Sequence, residues 1–122
     1  AMKDAGIQAS DIDMVSAHGT ATAYNDEMEA KAISLSGLGE VPVHSIKSYT
    51  GHTLGAAGIL ESAMIIGAIK RQQLIPSAGY TNHGVSVPIN ITTKMQPAAI
   101  NYVLKTASGF GGSNAAIIWA KA

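Results

Sequence analysis

The stretch VPVHSIKSYTGHTLGAAGILESAMIIGAIKRQQ, residues 41–73, decides the fold. Its first six residues, VPVHSI, predict a short buried strand despite the proline near the start. From about residue 55 to residue 73 the chain is apolar around most of a helical circumference and rich in glycine and alanine, which predicts a helix that packs on several sides. Lys47 and His52 lie in the glycine-containing loop between them. A strand, a polar loop and a buried helix in this order are typical of an α/β sheet protein.

The flanking sequence extends this pattern in both directions. Before it, AMKDAGI (1–7) predicts the tail of a helix, DIDMVSA (11–17) a strand and NDEMEAKAISLSG (25–37) another helix. After it, residues 75–92 predict a long loop, and AAINYVLKTA (98–107) and NAAIIWAKA (114–122) predict two final strands. The connecting SGFGGS (108–113) suits a hairpin. We therefore expect a mixed, mostly parallel sheet that ends in an antiparallel strand pair, with helices on its faces. The helical start predicts a piece of a longer chain.

Composition excludes several classes of function. The 122 residues are 47% hydrophobic and 13% charged, which suits one packed domain. Eight basic residues balance eight acidic ones, so no basic field exists to bind nucleic acid. The chain has no cysteine and therefore no disulfide, thiolate metal site or cysteine nucleophile. We expect no membrane span, since no run of about 20 apolar residues occurs, and a cytoplasmic protein, since the N-terminus lacks a signal-peptide pattern.

Chemically useful residues recur where predicted strands end. His18 follows the first strand, Lys47 and His52 follow the second, and SGFGGS joins the last two. Strand ends in α/β sheets gather ligand groups into one crevice. Two imidazoles, a lysine and the backbone amides of a glycine-rich turn suit the stabilisation of an oxyanion or enolate. Such a site lacks its own nucleophile.

Each of these features also has an ordinary structural interpretation. A single histidine after a strand is often a loop residue, a single lysine is often surface charge, and a glycine-rich turn is often only a turn. Asp26 and Glu29 lie in the first turn of a predicted helix, where acidic side chains complement the helix dipole. Rival motifs fail on spacing: Lys47 precedes the glycines instead of following them as in a phosphate loop, and GxGxxG, HExxH and GxSxG are absent. We therefore expect no metal.

Several motifs taken together resemble the β-ketoacyl-[acyl-carrier-protein] synthases. They are HGTAT (18–22), Asn25-Asp26, Glu29, SIKSYTGHTLGAAG (45–58) and GFGGSNA (109–115). The resemblance covers essentially the whole chain, and the long-chain type II condensing enzymes of bacterial fatty acid synthesis look nearest. It implies a thiolase-like fold of two similar halves. Residues 1–122 would then be an incomplete C-terminal half-domain, with the N-terminal half and its cysteine nucleophile missing.

The resemblance implies roles for the charged and imidazole side chains. His18 and His52 resemble the catalytic histidines, which donate hydrogen bonds to a malonyl thioester carbonyl and stabilise the enolate as carbon dioxide leaves. Lys47 resembles the family's buried lysine, and we expect it to pair with Glu29. Asp26 would support this network.

The resemblance also implies substrate contacts. Thr20 and Thr22 resemble the hydroxyls that bind the phosphopantetheine arm. Phe110 resembles a gating phenylalanine whose backbone N–H completes an oxyanion hole. Gly109 and Gly111 would permit the required backbone conformation and the close approach of substrate.

The chain departs from the family pattern at three positions. Ser16 stands where many members have asparagine, Ser108 where many have a second phenylalanine, and Lys105 where serine is common. In family members the asparagine and serine positions, with a glutamate that matches Glu61, hold a monovalent cation. Because a glutamate in so apolar a helix should not be buried unpaired, we expect the Lys105 ammonium to replace that cation and to pair with Glu61.

The implied reaction is the decarboxylative Claisen condensation of malonyl-acyl carrier protein with an acyl thioester, without a cofactor. The implied partners are acyl carrier protein, the missing N-terminal half and a second copy of the complete protein. A ketosynthase of a polyketide pathway and a non-catalytic partner of the chain-length-factor kind are the alternatives. A degradative thiolase is disfavoured because it uses a second cysteine near its C-terminus. We expect the chain alone to be inactive in condensation.

Overall fold

The computed structural model describes all of residues 1–122. Its strands are β1 (Met14–Ser16), β2 (Val43–His44), β3 (Gln73–Leu74), β4 (Gln96–Pro97), β5 (Tyr102–Ser108) and β6 (Asn114–Ala120). Its α-helices are α1 (Met2–Ala5), α2 (Ala23–Leu35), α3 (Lys47–Thr50) and α4 (Ala57–Arg71). Short 3₁₀ turns lie at Ala9–Asp11, Leu54–Ala56 and Phe110–Gly112. None of the helices combines the length and the apolar character needed to cross a membrane.

The main sheet has four strands in the order β2-β1-β5-β6. β1 runs parallel to both β2 and β5, whereas β5 and β6 pair antiparallel as a hairpin. The short β3 and β4 form a separate antiparallel pair. The predicted fold class, a mostly parallel α/β sheet that ends in an antiparallel pair, is confirmed.

The two faces of the main sheet bury different apolar clusters. Alternate residues of a strand point to opposite faces. Met14 and Val103 pack on the side of α4, whereas Val15 and Leu104 pack with Ile33 of α2. Strand alternation therefore also assigns the polar residues Ser16 of β1 and Lys105 of β5 to the α4 face, a placement on which the candidate site depends.

The helix α4 differs from its prediction in two ways. It begins at Ala57, after a 3₁₀ turn, and not at residue 55. One stripe is buried, at Ala57, Glu61, Ile65, Ala68 and Ile69. The expected burial on several sides is wrong for this chain, because the opposite side of the helix has no partner here and leaves Ile59 77% exposed.

Three local features were missed or misplaced. The pair β3–β4 escaped prediction because two-residue strands carry no periodicity. The one-turn helix α3 escaped for the same reason, although it follows β2 directly and carries Lys47. Asn25, the first residue of the helix predicted over 25–37, lies inside the first turn of α2 instead, and its side-chain amide donates to Glu29 Oε2 at 3.2 Å.

Candidate active site

The turn after β1 holds His18 against the start of α2. The backbone N–H of His18 donates to Glu29 Oε1 at 2.9 Å, and that of Gly19 donates to Glu29 Oε2 at 2.6 Å. Gly19 has φ of 50°, and a Cβ added there would lie 2.6 Å from Cβ of Ser45. Glycine is therefore required where the ends of β1 and β2 approach each other.

Glu29 is buried and fully engaged, but not by a lysine. Besides the two backbone N–H groups, it accepts hydrogen bonds from Asn25 Nδ2 and, at 2.9 Å, from Thr106 Oγ1. The predicted pairing of Lys47 with Glu29 is wrong. The oxygens of Glu29 are taken by groups that fix the His18 turn, and a different carboxylate meets the lysine.

Lys47 uses all three of its ammonium hydrogens inside the protein. Nζ lies 2.5 Å from Glu61 Oε1 and 3.3 Å from His18 Nδ1, and it also donates to the carbonyl oxygen of His18. An ammonium group can only donate, so Nδ1 of His18 must accept. Neutral His18 consequently carries its proton on Nε2.

Glu61 pairs with a second lysine as well. Lys105 Nζ lies 2.6 Å from Glu61 Oε2, and both side chains are at most 4% exposed. The Lys105 ammonium also donates to the carbonyl oxygen of Thr106. Glu29, Lys47, Glu61 and Lys105 thus form a buried group with two positive and two negative charges, called here the charge cluster.

Burial and the charges of this cluster shift the pKa values of Glu61, Lys105 and the neighbouring His18. Burial acts to raise the pKa of the Glu61 carboxyl, but the ammonium groups of Lys105 and Lys47 outweigh it and hold that pKa below its usual value. Burial lowers the pKa of Lys105 against the opposing effect of Glu61. Burial, and then the nearby Lys47 charge, lower the pKa of His18 and so favour the neutral imidazole.

A polar row crosses the sheet beneath α4. Ser16 is in register with His44 of β2 on one side and with Lys105 of β5 on the other. Burial, followed by the Lys105 charge, lowers the pKa of His44 to about 4. Sequence reasoning gave His44 and Thr106 no role. The only signal in the sequence was Lys105 inside a predicted strand, directly before Thr106. The register that brings His44 into the same row is visible only in the structure.

His52 lies beside His18 at the surface. The two rings have centroids 5.1 Å apart and meet edge to face, at 80°. The backbone N–H of Leu54 donates to His52 Nδ1 at 3.1 Å. His52, like His18, therefore carries its proton on Nε2 when neutral, and the site offers a pair of imidazole N–H donors.

A cleft of about 630 Å³ adjoins these groups. Its walls include Gly19, Thr20, Lys47 and His52 on one side and the segment around Ser77–Tyr80 on the other. The Thr20 hydroxyl lies 2.7 Å from that of Thr22, which is not itself a lining residue. Both predicted threonines thus sit at the cleft, one in its wall and one bonded to it.

Two predicted parts of the site are not joined to the histidines. Asp26 lines the cleft, but its carboxylate makes no hydrogen bond to Lys47 or to either imidazole. Phe110 is fully exposed in the 3₁₀ turn between β5 and β6, where Gly111 has φ of 80°. Neither Phe110 nor the adjacent Gly109 and Gly111 lines the cleft. No three histidine, aspartate or glutamate side chains gather as a metal site requires.

Comparison with known proteins gives a consistent result. The family described as "Beta-ketoacyl synthase, C-terminal domain" matches residues 1–81. The 3-oxoacyl-[acyl-carrier-protein] synthase 2 of Vibrio cholerae is 35% identical over 98% of this chain and 30% of the relative. A β-ketoacyl synthase crystal structure from Burkholderia phymatum STM815 superposes with a TM-score of 0.94 at 33% identity, over 100% of this chain and 30% of that one.

A further match comes from a solved complex of a type II polyketide synthase acyl-carrier protein with its ketosynthase. It has a TM-score of 0.87 and 35% identity, over 100% of this chain and 31% of that one. The chain spans about 30% of the length of the proteins it matches. The chain belongs to the β-ketoacyl synthase family, and it corresponds to the C-terminal domain of those enzymes.

Proposed function

We propose that this member of the β-ketoacyl synthase family contributes the enolate-stabilising half of a condensing active site. The reaction is the decarboxylative Claisen condensation of malonyl-acyl carrier protein with an acyl thioester, as in a 3-oxoacyl-[acyl-carrier-protein] synthase. The observation that carries the proposal is the pair His18 and His52, whose rings lie 5.1 Å apart with Nδ1 of each engaged.

The paired imidazoles act on the carbonyl oxygen of the malonyl thioester. When the bond to the carboxylate breaks, carbon dioxide leaves and the electron pair moves onto the thioester to form an enolate. Two Nε2–H groups stabilise the negative oxygen, and each such donor is worth about 3–4 kcal/mol in a pre-organised site. The enolate carbon then attacks the acyl thioester, a carbon–carbon bond forms, and the thiolate of the acylated cysteine leaves.

The charge cluster prepares His18 for this task. The Lys47 ammonium donates a hydrogen bond to Nδ1 and so fixes the Nε2–H tautomer, while the Glu29 carboxylate accepts the backbone N–H of His18. Burial and the Lys47 charge lower the pKa of His18 and keep its imidazole neutral. A neutral ring can donate to the oxyanion, whereas a protonated ring would carry a positive charge and attract the carboxylate of the substrate.

The substrates reach the site on acyl carrier protein, and no cofactor takes part. Thr20 and Thr22 bind the phosphopantetheine arm at the cleft. The named relatives support this partner, since one is a 3-oxoacyl-[acyl-carrier-protein] synthase and another is a ketosynthase solved with its acyl-carrier protein. The complete protein acts in the cytoplasm as a homodimer.

The nucleophile is supplied by another part of the complete protein, because this chain contains no cysteine. The chain alone is therefore inactive in condensation. The test supplies malonyl-acyl carrier protein and an acyl thioester to the 122-residue chain and to the complete protein. We expect 3-oxoacyl product from the complete protein only, and clear elongation by the chain alone would contradict the proposal.

A polyketide ketosynthase is the second candidate, supported by the match to a type II polyketide ketosynthase. It shares the same chemistry and differs in the acyl chain that it extends. Competition between acyl thioesters of different length and oxidation state in the complete protein separates the two. A non-catalytic partner of the chain-length-factor kind is disfavoured by the assembled His18, Lys47 and His52. A cysteine at the acyl-accepting position elsewhere in the protein would exclude it.

A further inference from the structure

The side chain of Lys105 does not line the cleft, yet a short series of contacts joins it to the imidazole of His18. Lys105 Nζ meets Glu61 Oε2 at 2.6 Å, Glu61 Oε1 meets Lys47 Nζ at 2.5 Å, and Lys47 Nζ meets His18 Nδ1 at 3.3 Å. All four of these side chains are buried.

The central feature is that the two oxygens of the Glu61 carboxylate pair with different lysines. One oxygen serves Lys47 and the other serves Lys105. Without a cation at Oε2, the carboxylate would be free to rotate or to share both oxygens with Lys47. Either change draws the ammonium of Lys47 away from the weaker contact at His18 Nδ1, because a carboxylate is the stronger acceptor.

Lys105 is also placed rigidly enough to do this. Its strand is paired on both sides, with Ser16 in β1 and Ile117 in β6. Its ammonium is held by the carbonyl oxygen of Thr106 as well as by Glu61, and the hydroxyl of Thr106 donates to Glu29. The lysine thereby links the two carboxylates that flank the His18 turn.

We propose that Lys105 is a positioning residue: acting through Glu61, it fixes the Lys47 ammonium on Nδ1 of His18 and so keeps Nε2 of His18 as the donor. The inference deepens the proposed function, since Nε2–H is the group that would bind the enolate. Lys105 touches neither substrate nor the reacting atoms.

The test reads the tautomer of His18 directly by NMR of the purified protein labelled with ¹⁵N in histidine. Ring nitrogen shifts distinguish N–H from unprotonated nitrogen, and the measurement is made where the imidazole is neutral. In the unaltered protein we expect His18 to be an Nε2–H tautomer. Lys105→Met should move its two ring nitrogen shifts toward each other, as in an exchanging mixture, and Lys105→Arg should restore the single tautomer.

Two further variants keep the test decisive. Lys70→Met removes an exposed lysine from the last turn of α4 and should leave the His18 signals unchanged. If Lys105→Met fails to fold, Lys105→Gln retains a donor for the Thr106 carbonyl without the charge and should give the same mixture. A pure Nε2–H tautomer in the Met or Gln variant would overturn the inference. Because no substrate is present, this result is independent of whether the complete protein condenses malonyl-acyl carrier protein.

Discussion

The charge cluster around His18 and the glycine turn at Phe110 come from equally distinctive motifs, but they differ in completeness. Every charged group of the cluster meets a partner within the chain. Phe110 is fully exposed and lies outside the cleft. A motif forms its complete set of contacts when all of its partners lie within the chain. A motif whose proposed role depends on other parts of the protein is left in solvent.

The largest effect is expected from Glu61→Ala. Glu61 is the partner of two buried ammonium groups, and its removal leaves both uncompensated. Breaking a buried pair costs about 3–5 kcal/mol, so we expect a loss of at least that size in the free energy of unfolding, measured by urea denaturation. Glu40→Ala, at an exposed position, should change little. Equal losses in the two variants would show that the cluster has no special stability.

His18→Ala in the complete protein should lower the rate of condensation about 10²–10³-fold, the usual effect of removing one oxyanion donor. The release of carbon dioxide from malonyl-acyl carrier protein should fall with it, because both steps pass through the enolate. Lys70→Ala, on the exposed side of α4, is the matched control. Unimpaired decarboxylation in His18→Ala would remove this residue from the proposed mechanism.

His44 should make stability depend on pH. Its pKa is lowered to about 4 in the fold, whereas a histidine in an unfolded chain titrates near pH 6.5. The unfolded chain therefore binds the extra proton first as the pH falls. Stability is retained above about pH 6.5 and declines toward pH 4, by up to about 1.4 kcal/mol per pH unit.

The contribution of His44 is isolated by denaturation at several pH values between 7 and 4. His44→Leu should flatten the decline over this range, whereas His83→Leu, at an exposed position, should not. A slope that is unchanged in His44→Leu would assign the acid sensitivity to other groups.

The smallest change in stability is expected from Phe110→Ala. Since the ring is fully exposed in this chain, the free energy of unfolding should change by less than about 0.5 kcal/mol. If the ring gates substrate in the complete protein, the rate of condensation should still fall there. Loss of stability in the chain alone would show that the turn packs within this domain after all.

The sequence was most informative where periodicity or motif spacing extended over many residues. The two long helices and the β5–β6 hairpin were predicted from such patterns. The strands β3 and β4 and the helix α3, of two to four residues each, offer too few positions for a period to appear. Formation of β3 and β4 depends on neighbours that are distant in sequence, as in the pairing of Leu74 with Gln96.

The site was predictable in its members but not in its pairings. The motifs singled out His18, Lys47, His52 and Glu29, and the family's cation site pointed to Glu61, yet the wrong carboxylate was assigned to Lys47. Which glutamate meets a lysine depends on which carboxylate is already occupied by backbone N–H groups, and that requires the turn geometry of His18 and Gly19. The Lys105–Glu61 contact was inferred from the family's cation site and from the apolar helix around Glu61, and the structure places the two charges 2.6 Å apart.

The central claim is that His18 and His52 form a pair of Nε2–H donors, with His52 in the wall of the cleft and His18 against its ring. Its most direct test is the ¹⁵N NMR spectrum of the two imidazoles in the unaltered protein at pH 8, where ordinary histidines are neutral. The account predicts that both rings carry the proton on Nε2 and accept at Nδ1. An Nδ1–H tautomer at either histidine would contradict it.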